Sequence, residues 1–111
     1  MQGELLDKVI GFKDAQTEFV MLQAPDEQLN LEIIKYHQPI DPEGARMPTA
    51  NRLGLGHIAF EVDNLEETVT ALKQKGHTLV GEVQTYENIW KLCYIRGPEG
   101  IIIELAQRLE G

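Results

Sequence analysis

The run His57-Ile58-Ala59-Phe60-Glu61-Val62 alternates between two kinds of position, which predicts a strand with one buried face. Asp63 or Asn64 is placed to cap a following helix, in which Leu65, Val69 and Leu72 recur at helical spacing as one apolar stripe. Glu66 and Glu67 suit the positive end of that helix's dipole, and Gly76 is its natural stop. Residues 78–83, 90–96 and 101–106 then read as three strands, the last two joined by a turn at Gly97-Pro98-Glu99-Gly100. The predicted order is β-α-β-β-β.

The first half carries part of the same series. Leu5, Leu6, Val9 and Ile10 share one face of a short helix that Gly11 would end. Residues 17–23 and 29–36 read as strands on either side of a turn at Pro25-Asp26-Glu27. Pro39, Asp41-Pro42-Glu43-Gly44 and Pro48 interrupt any regular structure, so this stretch is expected to cross between the halves. In both halves a strand, a turn with a proline and an acid, and a strand with a mid-strand glutamate follow one another, an internal repeat. The spacing from His57 to Glu104, applied back from Glu32, runs out ahead of Met1. The first unit is therefore expected to lack its opening strand, its helix and its second strand.

Strand alternation also sorts the faces. Ile58, Phe60 and Val62 form the expected core face of the strand that begins at His57, with His57, Ala59 and Glu61 opposite. In the last strand Ile101, Ile103 and Leu105 share the aliphatic side, which leaves Ile102, Glu104 and Ala106 facing as His57 does. In the strand over 29–36, Glu32 lies with Asn30, Ile34 and Tyr36, against an aliphatic row of Leu29, Leu31 and Ile33. A carboxylate among aliphatic residues is costly to bury unless paired, hydrogen-bonded or bound to a cation. A divalent ion would remove the repulsion between two such acids and hold them beside one imidazole. The alternative is a solvated sheet surface with His57 hydrogen-bonded locally.

Composition narrows the classes. The 111 residues are enough for one domain and too few for two independent cores, and a hydrophobic share of 42% argues against disorder. A net charge of −8 repels phosphate backbones and anionic lipid, so no nucleic-acid or membrane partner is expected. The chain lacks an apolar run long enough to span a bilayer and a basic signal-peptide start, which points to the cytoplasm. The single cysteine, Cys93, excludes an internal disulfide and a thiolate zinc site, leaving His and carboxylate as metal donors. It reads as a small packed side chain. His37 and His77 are expected in turns and solvated, and Gly54-Leu55-Gly56 precedes a strand and so lacks the context of a phosphate loop.

The segment from Gly56 to Asp63, Gly81-Glu82 and the ending Gly97-Pro98-Glu99-Gly100-Ile101-Ile102-Ile103-Glu104-Leu105 together resemble the glyoxalase, bleomycin-resistance and dioxygenase group known as the vicinal oxygen chelate superfamily. Residues 29–36 look like that family's fourth strand. The resemblance implies an α+β fold in which paired β-α-β-β-β modules form a curved mixed sheet around a metal. One domain over 1–111 would then comprise an incomplete first module (1–36), a connector (37–54) and a complete second module (55–107). Residue by residue, the resemblance makes Glu32, His57 and Glu104 the metal ligands, with no counterpart for a fourth. A carboxylate at Glu32 is similar to glyoxalase I-like (lactoylglutathione lyase-like) and methylmalonyl-CoA epimerase-like members rather than to the dioxygenases.

The implied chemistry is proton transfer next to a carbonyl in a small α-hydroxycarbonyl, thiohemiacetal or acyl thioester, through an enediolate stabilised by Zn, Ni, Co, Mn or Fe. Glu32 or Glu104 would carry the proton. The alternative from the same group is a metal-free module that binds a small molecule or antibiotic. The strand bearing Glu32 would lack a neighbour, so a homodimer or higher homo-oligomer is expected to cover that edge, or else the natural chain begins upstream.

Overall fold

The computed structural model describes residues 1–26 and 28–110, which divide into two compact units, Met1–Gly44 and Ala45–Gly111. The division falls inside the expected connector. The first unit holds α1 (Glu4–Ile10), β1 (Gln16–Gln23) and β2 (Asn30–Gln38). Gly11 ends α1 in the left-handed region at φ 79°, open to glycine because it has no Cβ, and its N–H donates to the Asp7 carbonyl. β1 and β2 form an antiparallel hairpin in which Thr17 pairs with Tyr36, Phe19 with Ile34 and Met21 with Glu32, so these six share a face. Val20 and Leu22 lie on the other, with Ile33 and Leu31.

Pro25 and Asp26 form the start of the expected turn, and the Asp26 carboxylate accepts the Gln28 N–H at 3.1 Å; Glu27 lies outside the described residues. His37, expected in a turn, is a strand residue instead, because β2 continues to Gln38 and pairs there with Gln16. Its Nε2 stands 3.1 Å from Glu18 Oε1.

The second unit runs β3 (His57–Glu61), α2 (Leu65–Gln74), β4 (Gln84–Tyr86), β5 (Trp90–Arg96), one 3-10 turn (Pro98–Gly100) and β6 (Ile102–Arg108). Its sheet has the order β3-β6-β5-β4, with β6 parallel to β3 and antiparallel to β5. α2 lays Leu65 and Val69 on Cys93, Ile95 and Leu105, and Val62, Leu72, Leu79, Val83 and Ile103 pack around this core. Asn64 is the cap: its side chain accepts the Glu67 N–H at 3.1 Å. Two contacts from the sheet hold the start of the helix. Gln107 accepts the Leu65 N–H at 2.8 Å, and Lys91 pairs with Glu66 at 2.8 Å, which draws the exposed Glu66 carboxyl below its ordinary range.

Phe60, expected on the core face of β3, is 42% exposed, and two further expectations are corrected. Residues 78–83 do not form a continuous strand: Leu79 makes one bridge to Ile95, the chain loops through Gly81, and regular pairing resumes only at Gln84 opposite Leu92. Ile101 is not a core residue. It caps the 3-10 turn and is 44% exposed, whereas Ile102, on the Glu104 side, is 2% exposed. Ile102 pairs with Arg96, whose guanidinium donates to the carbonyls of Pro48 and Gly100 and so ties the preceding segment down beside it.

The single Trp90 lies in β5, so its fluorescence reports the second unit. Leu105→Ala is expected to lower that unit's unfolding free energy by about 2–5 kcal/mol and Asn64→Ala by about 1 kcal/mol, measured by denaturant titration. Equal, negligible losses for both variants would contradict this core and cap.

Candidate functional site

The central strand β6 decides the site. Ile103 and Leu105 point into the core under α2, so Glu104 between them must emerge on the opposite face. The register sets Ala59 of β3 on one side of Glu104 and Tyr94 of β5 on the other. His57, two residues from Ala59 along β3, lies on the same face. Glu104 Oε1 stands 3.2 Å from His57 Nε2, with the two side chains 23% and 36% exposed. The Tyr94 hydroxyl stands 3.4 Å from the same nitrogen, and the tyrosine and imidazole ring centres are 4.7 Å apart. Ala59 and Ala106, both small, leave space around the carboxylate.

These distances bear on metal binding. Two donors on one divalent ion at roughly 2.0–2.2 Å stand roughly 3 to 3.5 Å apart. The 3.2 Å between Nε2 and Oε1 falls in that interval and is equally that of a direct hydrogen-bonded pair, as between His37 and Glu18 at 3.1 Å. The mixed N and O set also suits a borderline divalent ion. The second unit thus brings His57 and Glu104, two of the three expected ligands, into direct contact on one sheet face.

Glu32 belongs to the first unit. It faces with Phe19, Ile34 and Tyr36, as alternation predicted, and all four line a cleft of about 590 Å³ beneath the apolar stripe of α1. Among the described residues no set of three or more His, Cys, Asp or Glu side chains is grouped closely enough to hold a metal ion. Among the described residues, His57 with Glu104 in the second unit and His37 with Glu18 in the first are His–Glu pairs inside one unit.

Tyr94 is the site residue that sequence reasoning missed. Its parity along β5 with Trp90, Leu92 and Arg96 was readable, but only the β5–β6 register shows that it lies directly across from Glu104. Its neighbour Cys93 points the other way, into the core, at 2% exposure. Burial pushes the Cys93 thiol above its ordinary range; a backbone hydrogen bond with Leu105 opposes this, the nearby Glu104 charge adds to it, and Lys73 opposes it.

Residues 5–94 match the family model described as the Glyoxalase/Bleomycin resistance protein/Dioxygenase superfamily, a span that contains Glu32, His57 and Tyr94. Among solved structures, the crystal structure of a glyoxalase family protein from Bacillus cereus is similar at a TM-score of 0.94 and 37% identity, covering 99% of this chain and 74% of that one. No curated protein matches the chain. No helix among the described residues is long and apolar enough to cross a membrane.

Burial keeps reagent away from Cys93, and the upward shift of its thiol lowers the thiolate fraction. Native protein is therefore expected to react with an aromatic disulfide reagent at least about tenfold more slowly at pH 8 than protein unfolded in denaturant. Equal rates would show that the β5 core face is open.

Proposed function

The chain belongs to the glyoxalase/bleomycin resistance protein/dioxygenase superfamily, and on that premise we propose that it is a divalent-metal-dependent lyase or isomerase of the glyoxalase I-like type. The observation that carries this reading is the His57 Nε2 and Glu104 Oε1 pair, 3.2 Å apart on one sheet face. His57 and Glu104 would hold the ion. Zn, Ni, Co, Mn and Fe all suit these donors. When bound, the ion supplies the positive charge that stabilises an enediolate as a proton leaves the carbon beside a carbonyl.

The chain's own residues supply the rest. Glu104 or Glu32 would take that proton and return it, because a carboxylate at a substrate carbon is the base within reach. Tyr94 places a hydroxyl next to His57 and would donate to a substrate oxygen, fixing its orientation. The substrate class is a small α-hydroxycarbonyl, thiohemiacetal or acyl thioester.

A homodimer or higher homo-oligomer belongs to the same reading. Val20, Leu22 and Ile33, on one face of the hairpin, are each 48–58% exposed on a two-stranded sheet with open edges. A second copy would cover them.

Protein purified without chelators is expected to contain about one equivalent of divalent metal by elemental analysis. Glu104→Gln is expected to lower both the metal content and deuterium exchange at the substrate carbon, the latter by about a hundredfold. Metal-free protein with tight uptake of a small molecule would replace this reading with a binding module. Light scattering is expected to give a mass at least twice that of the chain at micromolar concentration; a monodisperse chain-mass species would contradict the oligomer.

A further inference from the structure

A cavity of about 520 Å³ lies beyond the end of β2, with Phe12, Tyr36, Pro39, Ile40, Asp41 and Pro42 in its wall. Glu32 does not line it. Short-range contacts build the wall. Gly11 turns the chain out of α1 and Phe12 follows; the Asp7 carboxylate accepts the N–H groups of Asp14 at 2.9 Å and Ala15 at 3.0 Å, which closes that turn. The Gln38 side chain donates to the Asp14 carbonyl and so ties the start of the 39–42 segment to the same turn. Pro39 and Pro42 have φ fixed by their rings. One Asp41 carboxylate oxygen accepts the Glu43 N–H at 3.0 Å, and the Asp41 carbonyl accepts the Gly44 N–H at 3.1 Å. A wall held in this way has little freedom left to lose when a ligand enters.

Three features define what would enter. The rings of Phe12 and Tyr36 stand 6.3 Å apart at 74°, as two sides of a corner. A cation seated in such a corner can lie within about 6 Å of both ring centres, the range over which a π face attracts positive charge. The Asp41 carboxylate shares the wall, and among the described residues no lysine, arginine or histidine side chain pairs with it. Residues 1–44 also hold nine acidic residues against three lysines and no arginine, so the first unit carries most of the chain's net charge of −8. A field of that sign gathers cations and repels anions. The type of cation follows from hydrogen bonding. A primary ammonium brings three N–H donors that need acceptors, whereas this wall is mainly aromatic, proline and isoleucine carbon. A quaternary ammonium has no N–H to satisfy and presents methyl groups to that carbon.

We propose that this cavity binds a small quaternary ammonium compound, its methylated cation in the corner of Phe12 and Tyr36 and its charge faced by Asp41. The site lies within the first unit and needs no metal, so its test is separate from that of His57 and Glu104.

Choline and 3,3-dimethylbutan-1-ol have the same shape and differ in charge, so together they separate recognition of a cation from the filling of apolar space. With the full chain in chelator and binding followed by methyl NMR, choline is expected to bind roughly tenfold more tightly than the alcohol. Shifts should concentrate at the Ile40 methyls and spare Val20 and Ile33 on the far face of the hairpin. Added sodium chloride should weaken choline and leave the alcohol unchanged. Phe12→Leu keeps the wall apolar but removes one ring, and is expected to cut the preference for choline to about twofold. Asp41→Asn keeps an oxygen that can accept the Glu43 N–H, so its hairpin spectrum should be unaltered while choline binds about threefold more weakly. Equal affinity for the two probes overturns the proposal. So do shifts at Val20 and Ile33 in place of Ile40, or an undiminished preference for choline in Asp41→Asn.

Discussion

The strict alternation of β6 couples the core of the second unit to its chemistry. Ile103 and Leu105 are drawn beneath α2 by burial, and the same pleat turns Glu104 out toward His57. A one-residue slip of β6 would bury the carboxylate among Leu65, Val69 and Cys93 and put leucine at the site, two penalties of opposite origin that enforce one register. The polar contacts at the helix start act in the same direction. Gln107 and Lys91 reach from β6 and β5 to the first turn of α2, so the helix that covers the core is registered on the strands that carry the site.

The second unit was the more readable in sequence because its elements carry their own physical signals. The stripe of Leu65, Val69 and Leu72, the cap at Asn64 and the turn at Gly97-Pro98-Glu99-Gly100 are local features, and each stands where it was expected. Failures arose where distant neighbours decide. Residues 78–83 have strand composition, yet the chain loops through Gly81 and regular pairing moves to Gln84. Ile101 and Ile102 look equivalent in sequence; their fates differ because Arg96 binds the Pro48 and Gly100 carbonyls beside one of them. The shared face of His57 and Glu104 followed from parity alone, whereas Tyr94 needed the register between two strands.

The first unit shows what happens when the same strand–turn–strand pattern has less to bury against. Its hairpin is well paired, but apolar side chains on both of its faces remain exposed, and α1 is anchored through the Asp7 carboxylate in place of a packed face. Such surfaces are completed by something else.

A direct measurement bears on the shared cation. Titrating the protein with Co²⁺ while recording NMR spectra is expected to displace the His57 ring protons and the Ala59 methyl as the first equivalent is added, together with Tyr94, and to leave the methyls of Val69 across the sheet close to their diamagnetic positions. Saturable cobalt binding that shifts other residues and leaves His57 and Ala59 untouched would contradict the account.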